Sequence, residues 1–266
     1  MNLVRPLVAV FVAGAVALAP AAGAAQKKKA VDPTPELPPA EATAVWEPVP
    51  PVVAVPASGI PADATVLLDG RNLDAWESAK TPGAPVPWRL EGDAMVCVPK
   101  SGNIQTRQKF GDLQLHLEFR TPATVVGTGQ GRGNSGVFLM GIYELQILDS
   151  YNNPTYVNGQ AAAIYKQYPP LVNASRGPGE WQTFDVIWIA PRFAADGKLQ
   201  SPARMTVFHN GVLVQHDAVL KGHTPNRGYP AYRAHADRLP LMLQDHNNQI
   251  AFRNIWVRPV SLPAAP

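Results

Sequence analysis

An all-β fold, a two-sheet antiparallel jelly-roll sandwich, is predicted for residues 61–262, and three observations predict it. The run Leu113-Gln-Leu-His-Leu-Glu-Phe-Arg120 alternates apolar and polar residues without a break, as an antiparallel strand with one buried and one wet face must. Residues 204–209 and 212–215 flank Asn210-Gly211, a pair that readily adopts the positive φ values of a type I′ hairpin turn. Elsewhere short apolar runs recur between Gly, Pro and Asn, with no internal repeat and no amphipathic helix longer than two turns.

Ahead of the sandwich the chain changes character twice. Residues 1–25 read as an export signal: Arg5 is the positive start, residues 7–18 are apolar, and Ala22-Gly23-Ala24-Ala25 suits cleavage after Ala24 or Ala25. The apolar stretch is too short for a hydrocarbon layer of about 30 Å, and no cysteine near the cleavage site offers a lipid acceptor. A periplasmic or secreted product with no membrane span after processing is expected. Residues 26–60 carry Pro33, Pro35, Pro38, Pro39, Pro48, Pro50, Pro51 and Pro56, which forbid helix and central strand, so a disordered, extended linker is expected.

Within the sandwich the remaining strands are expected at 65–68, 94–98, 136–140, 142–148, 183–190, 240–244 and 250–258. The one cysteine, Cys97, falls in the continuous apolar run 94–98 and reads as core, not as a reactive thiol, and it has no partner for a disulfide. The net charge is +3, but beyond Lys27-Lys28-Lys29 the basic residues are scattered singly. That pattern excludes the clustered surface a nucleic-acid partner requires.

Chemistry concentrates in four segments. In Tyr143-Glu-Leu-Gln-Ile-Leu-Asp149 the apolar residues alternate inward, which sets Glu144 and Gln146 together on the other face. Asp149 joins them if a bulge inserts one residue. Two carboxylates on a rigid sheet suit acid/base work on a sugar. Asn134 and Ser135, in Gly131-Arg-Gly-Asn-Ser-Gly136, offer hydrogen bonds to hydroxyls; a strand follows them and no Gly-Lys-Ser/Thr is present, so this is not a phosphate cradle. Gln244-Asp245-His246 ends an apolar run with an amide, a carboxylate and an imidazole. Arg253 sits inside a core-like strand, where a charge needs a partner: Asp245 or Glu144 in a salt bridge, or a substrate. His116 shares its face with Glu118 and Arg120.

Taken in order, Leu67-Leu-Asp-Gly-Arg-Asn-Leu-Asp-Ala-Trp76, Phe110-Gly-Asp112, Glu118-Phe-Arg120, Asn134-Ser-Gly136, Tyr143 to Asp149, Gly179-Glu-Trp-Gln182, Asn210-Gly211, Gln244-Asp-His246 and Phe252-Arg-Asn-Ile255 resemble the 3-keto-disaccharide hydrolase domain family. The resemblance implies a concanavalin A-like lectin/glucanase fold with a sugar-binding sheet. It is similar, more distantly, to sandwich β-glucanases with Glu-x-Asp-x-x-Glu on one strand, from which this chain departs at Gln146 and Asp149. Retaining hydrolysis by a nucleophile and an acid/base pair is therefore not expected.

The implied substrate is a 3-keto-glycoside, whose ketone acidifies the C2 proton and permits elimination of the C1 substituent followed by hydration. On that reading Glu144 or His246 removes the C2 proton, and Arg253, with Gln244, stabilises the enolate oxygen. Asp149 protonates the leaving oxygen or orients a hydroxyl, and Gln146 positions the ring. Asn134, Ser135, Asp245, His116, Glu118 and Arg120 are expected substrate contacts. A divalent metal held by Glu144, Asp245 and His246 is a second route to polarising the ketone. An upstream sugar 3-dehydrogenase would supply the substrate. The competing expectation is a non-catalytic carbohydrate-binding module with Trp76, Trp88, Trp181 or Tyr151 as platforms; a third is a structural domain tethered by the Pro-rich spacer.

Overall fold

The computed structural model describes residues 39–57, 59–225 and 227–261; the expected export signal lies outside them. The chain divides into two compact units, Met1–Pro51 and Val52–Pro266. In the first, the described residues hold one 3-10 turn, Ala40–Thr43.

The second unit is built of strands. In order these are β1 (Thr65–Leu68), β2 (Trp76–Ser78), β3 (Arg89–Glu91), β4 (Ala94–Val96) and β5 (Ile104–Phe110). Then come β6 (Leu113–Arg120), β7 (Ser135–Leu139), β8 (Tyr143–Ile147), β9 (Gln182–Ile189) and β10 (Arg192–Phe193). The last are β11 (Leu199–Ser201), β12 (Arg204–His209), β13 (Val212–Val219), β14 (Leu239–Leu243) and β15 (Ala251–Pro259). Helix is confined to short 3-10 turns among the described residues.

Two antiparallel sheets form the jelly-roll sandwich. The larger runs β13-β12-β9-β6-β15-β4-β3, with β1 also on β15; the smaller runs β2-β5-β14-β7-β8. The alternation of β6 sends Leu113, Leu115, Leu117 and Phe119 into the core beside Phe184, Val186 and Trp188 of β9. From the smaller sheet Val137, Leu139, Tyr143, Leu145 and Ile147 meet them, with the Tyr143 and Trp188 rings 5.1 Å apart. Cys97 is fully buried in this core, and burial, then Asp245, drives its thiol far above the usual range. The β12–β13 turn carries Asn210 at φ 53° and Gly211 at φ 79°, the pair of positive values that a type I′ turn requires.

β2, β3, β5, β10 and β11 go beyond the strands expected from the sequence. β5 shows why: only Ile104, Thr106 and Phe110 point inward, and Arg107, Gln108 and Lys109 are exposed in succession. Thr106 Oγ1 bonds the Gln108 carbonyl and accepts from Leu241 N–H, which distorts the pleat and erases the alternation.

Candidate active site

A single hairpin sets the centre of the site. Leu139 and Ile142 close a turn in which Met140 and Gly141 both have positive φ, 55° and 68°. The resulting register pairs Phe138 with Glu144 and Gly136 with Gln146. Because Tyr143, Leu145 and Ile147 fill the core, Glu144 and Gln146 project from the outer face of the smaller sheet, as the alternation predicts. The chain then returns along β8. Ala162 N–H donates to the Gln146 carbonyl, Gln146 N–H to Ala163, and Tyr165 N–H to Glu144. This return covers what would otherwise be an edge strand and brings the Tyr165 side chain to Glu144.

Glu144 and Gln146 form one wall of a cavity of about 150 Å³, with Asn134, Gln244 and His246. Phe138, Tyr165, Thr224 and Pro225 complete it. Five of the residues singled out in the sequence thus converge here. Pockets that enclose a drug-sized ligand span about 300–1,000 Å³, so this one has room for a group on the scale of one ring.

Glu144 is 5% exposed, and no hydrogen bond or ion pair holds its carboxyl among the described residues. Burial raises its pKa from the ordinary carboxylate range to about 8. Its neighbour Gln146 has two orientations open to its amide. Gln130 Nε2 donates to Thr155 Oγ1 and the Gly159 carbonyl, so Gln130 Oε1 accepts from Gln146 Nε2 at 3.1 Å. The other amide atom of Gln146, its oxygen, then stands 3.2 Å from Glu144 Oε1 and from the Ser135 carbonyl. Two oxygens at that distance attract only when one carries a proton. Turning the Gln146 amide would instead set its nitrogen 3.2 Å from Glu144 Oε1 and from the Ser135 carbonyl, with its oxygen 3.1 Å from Gln130 Oε1, so the raised pKa of Glu144 rests on burial. Across the cavity, burial and the Tyr156 hydroxyl 2.6 Å away push the Tyr165 phenol well above its usual range. Gln244 Oε1 is buried without a partner.

Gly136 is part of this arrangement. A Cβ there would lie 2.7 Å from Glu144 Oε1 and 2.8 Å from the Phe138 ring. Gly136→Ala is therefore expected to displace Glu144 and lower turnover by up to about 10²-fold; kinetics alongside a thermal melt check that the loss is not unfolding.

Comparison with known proteins places this geometry in a family. The profile of the 3-keto-alpha-glucoside-1,2-lyase-like domain matches residues 63–258. The chain belongs to this family. A provisionally assigned glycosyl hydrolase of Parabacteroides distasonis is 45% identical over 83% of this chain and 96% of its own, with a TM-score of 0.78. Two further structures under the same description from that organism share the fold. One is 21% identical, covering 73% and 98% of the two chains, with a TM-score of 0.50; the other is 16% identical, covering 75% and 94%, with a TM-score of 0.53. No curated protein matches significantly. The family and the first of these structures support action on a glycoside or carbohydrate binding.

The lyase-like domain does not gather every expected residue at Glu144. Asp149 lies past the end of β8, where Oδ2 accepts from Arg132 Nε at 2.7 Å and Oδ1 from Tyr151 N–H. The pair lines a separate cavity of about 350 Å³ with Gly133 and Asn247, so Asp149 is not placed to protonate a leaving group at Glu144. Asp245 accepts from Gly102 and Asn247 N–H and bonds the Cys97 thiol, which fixes the loop after β14. Glu144, Asp245 and His246 therefore do not form the expected metal set, and no cluster of three such side chains suits a metal among the described residues. Ser135 Oγ, fully buried, donates to the Gln244 carbonyl and is not free for a substrate.

His116, Glu118, Arg120 and Arg253 stand on the outer face of the larger sheet, with the whole core between them and Glu144. Asn254, at φ 46°, bulges β15 between Arg253 and Trp256 and turns both Arg253 and Asn254 outward. There Arg253 bonds Glu118 at 2.7 Å and lies over Trp181, as Arg120 does; His116 bonds Asp185 and stacks on Trp256. The expected salt bridge from Arg253 to Asp245 or Glu144 is not made, and Arg253 cannot reach an enolate beside Glu144. Arg253→Met is expected to leave glycoside turnover within about twofold, as distant sites act independently, while lowering the melting temperature.

Thr224 and Gln130 were not singled out in the sequence, and Tyr165 only as the start of a loop, 165–179, expected to frame the cleft. Tyr165 ends the run Ala161-Ala-Ala-Ile164, whose small apolar residues are the signal of a segment packed along a strand.

Proposed function

We propose that this domain cleaves 3-keto-glycosides at the Glu144 cavity, by elimination across C1 and C2 followed by hydration. The observation that carries the reading is Glu144 itself: a buried carboxyl without a cation, open to a cavity, that holds its proton at neutral pH. Such a group is a proton donor in waiting. His246, the imidazole in the same cavity wall, removes the C2 proton. The C–H electron pair spreads onto the C3 oxygen, where the amide N–H groups of Gln244 and Asn134 stabilise the charge as it develops. It then forms the C1–C2 double bond as the C1–O bond breaks, and Glu144 delivers its proton to the departing oxygen.

Hydration reverses the roles. Water adds at C1 and gives its proton to the Glu144 carboxylate, and the imidazolium returns a proton to C2. Gln146 and Tyr165 border the ring from either side. The reading includes export to the envelope or medium and a sugar 3-dehydrogenase acting upstream, since an unoxidised glycoside lacks the acidic C2 proton.

The test is mass-spectrometric turnover of 3-keto-glycosides beside their unoxidised parents. Cleavage of the keto forms alone is expected. Cleavage of both would point to ordinary hydrolysis, and sugar binding with no cleavage would make the domain a carbohydrate-binding module.

A further inference from the structure

Beside the Glu144 cavity lies a second one, of about 260 Å³, and the two share Phe138, Thr224 and Pro225 as a common wall. A ligand seated at Glu144 therefore meets this second cavity on leaving the first. The character of the lining changes across the wall. Around Glu144 it is three amides and one carboxyl; beyond Phe138 it is Ile142, Ala231 and Tyr229, with His223, Thr224 and Arg233 as polar members.

The loop that forms it, between β13 and β14, is pinned from inside. The buried Gln167 amide accepts from Lys221 N–H and donates to the Gly222 carbonyl. Gly222, at φ 138°, crosses so close to Ala231 that a Cβ would lie 2.3 Å from its backbone. His223 N–H donates to Ala231, and Thr224 ties the loop to the hairpin, its N–H donating to Ile142 and its Oγ1 accepting from Glu144 N–H. Two features on this rigid frame have no structural employment. Tyr229 is 95% exposed, and His223 Nε2 is buried with no hydrogen-bond partner. The Arg233 main chain also bonds the imidazole, while burial first, then the charges of His235 and Arg233, hold the ring below its usual range.

We propose that this cavity is the leaving-group subsite and that it takes a flat phenolic aglycone, held between Tyr229 and the Phe138–Ile142 wall, with Arg233 against its face. An exposed tyrosine ring facing an apolar wall, with one cation beside them, matches an aromatic ring better than a second sugar, which would need hydrogen bonds around its whole edge. The inference rests on the proposed elimination for the identity of the cleaved bond.

The experiment compares wild type with Tyr229→Ala and Arg233→Ala on the 3-keto forms of phenyl glucoside, methyl glucoside and a glucosyl-glucose. The wild-type-to-variant ratio for each substrate cancels differences in leaving-group reactivity. The expected result is a loss in kcat/KM on the phenyl substrate about fivefold or more beyond that on the methyl one. Equal losses on phenyl and methyl substrates would overturn the proposal, and a loss confined to the disaccharide would assign the cavity to a sugar instead. Should the wild type cleave none of the three, the elimination falls, and the subsite is judged on binding of unoxidised phenyl and methyl glucosides. Selective weakening of the phenyl ligand in both variants upholds it, and unaltered affinities overturn it.

Discussion

Glu144→Gln is expected to lower kcat/KM for a 3-keto-glycoside by about 10²–10⁴-fold, the range that a positioned proton donor contributes, while the sandwich stays folded. Gln is close to isosteric with the protonated acid, so Gly136, Phe138 and Gln146 keep their contacts and only the transferable proton is lost. The wild-type pH profile gives an independent check. With Glu144 as the acid, kcat/KM falls as pH rises through about 8, where burial has placed its titration. The groups facing it are Tyr165, Thr224, Gln146, Phe138 and His246, and none is a lysine or arginine that would alter that value. A rate that instead climbs through pH 8 would make Glu144 the base and His246 the donor. A fully active Glu144→Gln would remove the residue from the mechanism altogether.

The fold was legible where one face of a strand is buried and the other wet. β6 and the Asn210-Gly211 hairpin announce themselves because period-two alternation and positive φ are local properties. β5 hides because a side chain, Thr106, reaches back to its own strand and breaks the pattern. The site was legible along one strand and obscure across the sandwich. Glu144 and Gln146 share a face by the pleat alone, and Asn134, Gln244 and His246 follow because β7 pairs with β8, and β14 with β7, in the same sheet. Arg253 was misplaced for a physical reason. A charged residue inside an apolar strand must have a partner, but sequence does not say on which sheet its strand lies, and β15 belongs to the other one. Asp149 needed a bulge to join Glu144; the chain instead leaves β8 and delivers it to Arg132. Tyr165 was legible only as the start of a loop, because its place beside Glu144 depends on a backbone return that carries no motif.

The second large effect is on stability, and it runs opposite to the first. A carboxyl that titrates at about 8 when folded and near 4.3 when unfolded binds its proton more tightly in the native state. Between those values the native protein holds more protons than the unfolded chain, so stability falls as pH rises from about 4.5 to 8. At 1.36 kcal/mol per unit the loss across that window is roughly 3–5 kcal/mol. Glu144→Gln removes the dependence. Near pH 4.5 the two proteins are expected to melt together, and by pH 8.5 the variant melts several degrees higher, at about 2–4 °C per kcal/mol for a domain of this size. Other buried groups titrate too, among them His209, which burial and then Arg176 drive down to about 4, but they are common to both proteins and cancel in the difference. Parallel melting curves from pH 4.5 to 8.5 would mean that Glu144 ionises freely and is no proton reservoir. Divergence would tie the two effects to one cause: desolvation weakens the native state above neutral pH and, in the same act, keeps a proton on Glu144 where the departing oxygen can take it.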